Sequence, residues 1–110
     1  MTAKELGDQI YLTALQRVPM GGGIAEAFRE GAGVVINGRQ PGGLRGVYHP
    51  PTSLIAVVSD VDVRVVVLGG RPGIPADKDL FTLPIAGQPL QDVANEVVDR
   101  IGRYLAATTS

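Results

Sequence analysis

The sequence predicts an α+β fold, a two-layer sandwich in which a small, mainly antiparallel sheet is covered by N-terminal and C-terminal helices. Two observations lead to this prediction. Apolar residues near both ends of the chain recur with the helical period, and the middle of the chain contains short β-branched runs separated by glycine and proline. The chain has 110 residues, 45% of them hydrophobic, which is enough for one core. We therefore expect a single α+β domain over residues 1–110.

The first helix is predicted to begin at a capping box, Thr2-Ala3-Lys4-Glu5, in which the Thr hydroxyl and the Glu carboxylate satisfy free backbone amides. Pro19 and the glycines at 21–23 should end this helix, because proline and glycine both disfavour its continuation. Its apolar stripe is formed by Leu6, Ile10, Ala14 and Val18, with Tyr11 and Leu15 beside it.

The middle of the chain predicts strands with less certain bounds. Ile24 to Arg29 is compatible with a helical turn or with a short strand, and the sequence leaves both open. Val34 to Ile36 predicts a strand that ends in a turn at Asn37-Gly38, and Leu44 to Tyr48 is a further candidate strand. Leu54 to Leu68 predicts either a hairpin around Ser59-Asp60 or one long bent strand.

The end of the chain predicts an edge strand and then the clearest helix. The strand would run from Leu80 to Ile85, with Pro84 restricting it to the edge of the sheet. Pro89 suits a first helical turn, and residues 106–110 are expected to form a frayed tail. The apolar stripe of this helix is Leu90, Val93, Ala94, Val97, Val98, Ile101, Tyr104 and Leu105.

The composition argues against most catalytic chemistry. The chain has no cysteine, which removes thiolate nucleophiles and cysteine-ligated metals, and its one histidine, His49, has no partner of the same type for a metal site. We therefore predict no catalytic, cofactor-binding or metal-binding residues, no cofactor and no enzymatic activity. The 10 basic residues nearly balance the 11 acidic ones, so nucleic acid is not an expected partner. Without a long apolar run, we expect a cytoplasmic protein with no direct membrane insertion.

One local feature predicts a binding surface. Arg39, Arg45 and Arg71 lie in or beside glycine-rich loops, and no acidic residue occurs from Gly31 to Ser59. Arginine forms paired hydrogen bonds with carboxylates while its stem packs on apolar surface. The three arginines are therefore our predicted partner-binding residues, with a solvated loop or a small-anion site as alternatives. If they are not the site, the polar face of the last helix, with Glu96, Asp99 and Arg103, is the next candidate.

The order of the motifs resembles the alkaline-shock protein family, the small envelope-stress proteins of bacteria, in its short form. The residues that resemble it are Arg17-Val18-Pro19 at the end of a helix, Asn37-Gly38-Arg39, Leu44-Arg45-Gly46, the alternating valine strand, and Pro89-Leu90-Gln91-Asp92-Val93-Ala94. The resemblance implies a non-enzymatic scaffold that associates with itself as a homo-oligomer and binds a membrane-anchored protein, so that it lies in the cytoplasm near the membrane. It brings no catalytic residues.

Two other functions are compatible with the same sequence. One is a small structural subunit of a larger assembly, such as a phage virion or connector component, because glycine-rich loops on a compact α+β core suit contacts between subunits. The other is an enzyme or ligand-binding domain that holds an anionic small molecule with its arginines. A pocket onto which the arginines converge would favour the second of these.

Overall fold

The computed structural model describes residues 2–20, 23–39, 52–69 and 77–109. In these residues the chain forms two helices and five strands. The elements are α1 (Ala3–Arg17) followed by a 3-10 turn (Val18–Met20), β1 (Ile24–Glu30), β2 (Gly33–Gly38), β3 (Ser53–Val58), β4 (Asp62–Leu68), β5 (Lys78–Pro84) and α2 (Leu90–Thr109). The α+β prediction is confirmed.

The strands form one antiparallel sheet in the order β1-β2-β3-β4-β5, so each strand pairs with its neighbour in sequence. Ser59 closes the hairpin between β3 and β4, because its Oγ accepts hydrogen bonds from the N–H groups of Val61 and Asp62. Of the two interpretations of Leu54 to Leu68, the structure therefore shows the hairpin.

Both helices pack on the same face of the sheet. The buried stripe of α1, Leu6, Ile10 and Ala14, meets the buried face of α2, and both cover inward side chains of the four strands β1 to β4. The buried inward residues of the sheet are Ile24, Ala27, Val34, Ile36, Leu54, Ala56, Val58, Val63 and Val65. The opposite face of the sheet carries no described element, so the architecture is the expected two layers.

Several predicted bounds change in the structure. Ile24–Glu30 is a strand, which settles the open choice, and Asn37-Gly38 lies within β2 rather than in a turn. Residues 106–109 continue α2 where the sequence predicted a frayed tail. The candidate strand Leu44 to Tyr48 lies outside the described residues. At the start of α1, Thr2 Oγ1 accepts the N–H of Glu5 at 3.1 Å, as the capping box predicts.

Candidate protein-binding surfaces

Arg39 is the one predicted site residue that falls within the described ranges. Its side chain is exposed, and one guanidinium nitrogen donates to the carbonyl oxygen of Val18 at 2.9 Å. Its backbone N–H donates to the carbonyl oxygen of Gly23 at 3.0 Å. Arg45, Arg71 and His49 lie outside the described residues. The expectation that the three arginines share one surface therefore remains a prediction.

Arg39 lies beside a groove of about 590 Å³ that three separate parts of the chain enclose. The end of α1 and the 3-10 turn form one wall, the start of β1 forms the floor, and the C-terminal half of α2 forms the other wall. We call this the arginine groove. Its lining residues are Arg17, Met20, Gly23, Ile24, Asp99, Gly102, Arg103 and Ala106.

Both arginine side chains of the arginine groove contact Asp99. Arg17 on α1 forms an ion pair with Asp99 on α2, with 2.5 Å between Nη2 and Oδ1. One turn further along α2, Nε of Arg103 donates to the backbone carbonyl of Asp99 at 3.4 Å. Arg103 forms no ion pair with any side chain in the described parts of the molecule. The groove therefore presents a positive rim above a mostly apolar floor.

Gly102 explains why the arginine groove is open. It lies in the interior of α2, between buried Ile101 and exposed Arg103. A Cβ atom at this position would have no neighbouring atom within 4 Å, so packing does not require the glycine. Glycine destabilises a helix interior by about 1 kcal/mol relative to alanine. Any larger side chain at position 102 would project into the groove and reduce its volume.

The second candidate surface is the sheet face that the helices leave uncovered, which we call the open sheet face. Its centre is an apolar row in register across four strands, Phe28, Val35, Ile55 and Val66. Phe28 is 43% exposed and Val57, in the adjacent row, is 41% exposed. Val35 within this row is only 5% exposed, so the accessible apolar surface of the face is carried mainly by Phe28 and Val57.

In the described strands, the charges around the apolar row are mainly negative. Glu26 and Glu30 flank Phe28 on β1, and Asp62 and Asp79 lie on the side of β4 and β5. Arg64 is the basic residue of this face in the described strands, and it forms an ion pair with Asp79 at 2.6 Å. The open sheet face is therefore acidic and apolar, while the arginine groove is basic and apolar.

The remaining ion pairs of the described residues are explained by packing. Arg29 reaches from β1 to Asp8 on α1 at 3.3 Å and donates to the carbonyl of Gly33, which ties the first helix to the sheet. Arg100 pairs with Glu96 one turn earlier on α2 and lies over the ring of Phe81, 5.1 Å from its centroid. These side chains hold elements of the fold together.

Sequence reasoning missed most of the arginine groove. Arg103 and Asp99 were part of the second-choice surface, but Arg17 and Gly102 were not singled out. Arg17 and Arg103 are far apart in sequence and meet only because α1 packs against α2. The available signal was Gly102 itself, an isolated glycine inside the most regular helical pattern of the chain.

Neither a metal cluster nor a membrane-spanning helix is found in the parts of the chain that the structure describes. No group of three or more potential metal-ligating side chains comes together there, and no described helix is both long and apolar enough to cross a bilayer. Comparison of the chain with protein-family models, with curated proteins and with solved structures gave no match.

Proposed function

We propose that this protein is a non-enzymatic interaction protein and that it binds a protein partner in the arginine groove. The observation that carries the proposal is Gly102, a helix-interior glycine with open space where its side chain would be. The helix would be more stable with alanine at that position. The glycine is therefore best explained by the space that it leaves in the groove.

The chemistry of the arginine groove favours an acidic partner segment with an apolar side chain. Exposed Met20, 77% accessible, supplies apolar surface, while Arg17 and Arg103 supply donors at the rim. Arginine is enriched among the residues that dominate interface energies, because its planar fork binds carboxylates and its stem packs on apolar groups. The groove would therefore place an apolar side chain on its floor and a carboxylate against its rim.

The resemblance to alkaline-shock proteins supports the wider part of the proposal. It implies a cytoplasmic scaffold in the envelope-stress response, with a membrane-anchored protein as one partner and self-association as another property. In this proposal the arginine groove is the docking site, and Arg39 extends its positive surface through its contact with Val18. Arg45 and Arg71 belong to the proposal as further partner-binding residues.

The test is recovery of the native partner by wild type and by two groove variants. Arg103→Glu reverses a charge on the rim, and Gly102→Leu fills the groove while favouring the helix. We expect both variants to recover much less partner than wild type, and added salt to weaken wild-type binding. Lys4→Glu is the matched control, since Lys4 is exposed at the other end of α1. Equal recovery by all four folded proteins would refute the groove as the binding site.

The volume of the arginine groove also favours a second candidate function, the binding of a small anion. About 590 Å³ lies within the range of roughly 300–1,000 Å³ that is typical of ligand sites. Titration calorimetry with inorganic phosphate and with a dicarboxylate distinguishes the two functions. Saturable binding that Gly102→Leu and Arg103→Glu both abolish would support the anion site, and no binding heat with retained partner recovery would support the protein partner.

A further inference from the structure

The geometry points to a second copy of this chain as a partner of the arginine groove. We infer that strand β1 of one copy inserts Phe28 into the groove of the next copy, with Glu26 and Glu30 against its arginines. This inference rests on the proposed function, because it identifies the partner of the same site. It also rests on an independent observation, the acidic and apolar character of the open sheet face.

Strand β1 presents a compact motif for such a contact. Glu26, Phe28 and Glu30 are all exposed and occupy every second position of the strand, so their side chains point to the same face. Neighbouring members of the motif are about 7 Å apart along the strand. Asn37 on β2 donates to Oε1 of Glu26 at 2.6 Å, which holds that carboxylate in place. Because β1 is the first strand of the sheet, the motif lies at the perimeter of the molecule and is accessible to a partner.

The arginine groove is complementary to this motif in both shape and charge. On the α2 wall, Gly102 and Ala106 carry no large side chain, so an aromatic ring can approach the backbone of α2. Arg17 and Arg103 both contact Asp99, which brings two basic side chains to the arginine groove.

The charges of the open sheet face argue against a symmetric contact between two such faces. Each face carries Glu26, Glu30, Asp62 and Asp79 against Arg64, so two of them facing each other would repel. Pairing of sheet edges is also disfavoured. At one edge of the sheet the pairing register shifts between Ile24 and Glu26, and at the other edge it shifts between Val65 and Val66, where β4 pairs with β5. Such irregularities disfavour the addition of a further strand. The contact is therefore between unlike surfaces.

A contact between unlike surfaces leads to assembly beyond a dimer. The motif of β1 lies on the open sheet face and the arginine groove lies on the helix side, so one copy can use both at once. Head-to-tail contacts close into rings when the rotation between copies permits closure and otherwise form open chains. This property fits a subunit of a larger assembly as well as a self-associating scaffold.

The experiment uses two variants that each damage one of the unlike surfaces. Phe28→Ser removes the inserted ring and leaves the groove intact, while Gly102→Leu blocks the groove and leaves the β1 motif intact. Sedimentation velocity over a concentration series should show wild type forming oligomers that high salt weakens. Each variant alone should associate at least about tenfold more weakly than wild type, as expected for loss of an interface hot spot. An equimolar mixture should form a heterodimer, because it contains one intact surface of each kind.

Controls and a second variant pair keep the result unambiguous. Leu12→Ser removes an apolar side chain of similar exposure, 50%, from α1 and should associate like wild type. Glu30→Arg and Arg103→Glu should each weaken association when tested alone. A mixture of the two should restore it, because the mixture again allows opposite charges at the contact. Circular dichroism checks the fold of every variant.

Two outcomes would overturn the inference. One is a wild-type protein that stays monomeric at all concentrations, and the other is a mixture of the two variants that forms no heterodimer. If wild type is monomeric and Gly102→Leu still abolishes recovery of the native partner, the inference fails and the proposed function stands. If Gly102→Leu changes neither association nor partner recovery, both fail.

Discussion

At the scale of single residues, Gly102 shows how a local rule of helix stability can be broken in favour of a surface. The α-helix around it follows the apolar period closely, with Val98, Ile101 and Leu105 fully buried. A glycine there leaves backbone more exposed and raises the entropy lost on folding. Because no atom lies within 4 Å of the missing Cβ, the explanation lies outside the core and points to the groove.

The first prediction concerns the stability of this position. Gly102→Ala should raise the free energy of unfolding by about 1 kcal/mol, because alanine favours the helix and meets no neighbour. Urea denaturation followed by circular dichroism measures the change. A lower stability for Gly102→Ala would mean that the helix needs glycine for a structural reason, and the argument for the groove would lose its main support.

A second residue-scale prediction concerns Ser59 in the β3–β4 hairpin. Its Oγ accepts from the N–H of Asp62 at 3.1 Å and lies 3.1 Å from Oδ1 of that residue, to which it can donate. Ser59→Ala should lower the free energy of unfolding by about 1 kcal/mol, the typical net contribution of such hydrogen bonds. Ser53→Ala, at the start of β3, is the control and should change stability less. Equal effects of the two substitutions would contradict a special role for the Ser59 hydroxyl.

At the scale of elements, α2 joins the core to the candidate site. One of its faces packs into the core through Val93, Val97 and Ile101, and the next face carries Asp99, Gly102 and Arg103 into the groove. The position of the groove wall is therefore fixed by core packing. Small changes in the core face of α2 should therefore alter the shape of the arginine groove.

The element-scale prediction is that Ile101 anchors α2. Its side chain is fully buried, so Ile101→Ala should reduce the free energy of unfolding by about 2–5 kcal/mol through lost burial and a residual cavity. That loss is a large part of the stability of a domain of this size. Thermal unfolding gives the result, with Arg103→Ala as an exposed control from the same helix. An unchanged melting temperature for Ile101→Ala would be incompatible with the observed packing.

Strands β1 and β2 show why some elements were difficult to predict. The Ala and Glu content of Ile24 to Glu30 suits a helix as well as a strand, and only pairing with β2 decides between them. Asn37-Gly38 has the composition of a turn, but a Cβ at Gly38 would lie 2.7 Å from Cδ2 of Leu105. That glycine is explained by the close approach of α2 to the sheet, which a local sequence pattern does not contain.

At the scale of the whole molecule, the fold class was predictable and the candidate site was not. Periodicity in the two helices and the valine alternation around Val63 and Val65 report burial directly, which is why the helices and the strand character of this region were predicted, while the choice between a hairpin and one bent strand stayed open. The groove depends on how α1, β1 and α2 meet, because Arg17, Ile24 and Arg103 become neighbours only in the folded chain. Arg39 was singled out because an arginine beside a glycine-rich loop is a local signal, and its role as a partner-binding residue stays a prediction.

The last prediction is that the molecule unfolds as one unit, because both helices share a single core with the sheet. Tyr11 on α1 and Tyr104 on α2 are both partly buried against that core, and the chain has no tryptophan of its own. Tyr11→Trp and Tyr104→Trp therefore place a fluorescent reporter in each helix. In urea, the fluorescence midpoint of each variant should coincide with its own midpoint from circular dichroism, and the two variants should give the same denaturant dependence of the free energy. An earlier fluorescence transition for either helix would show that it detaches before the sheet unfolds. The core would then consist of two separable parts, and the arginine groove, which needs both helices in place, would open before the fold is lost.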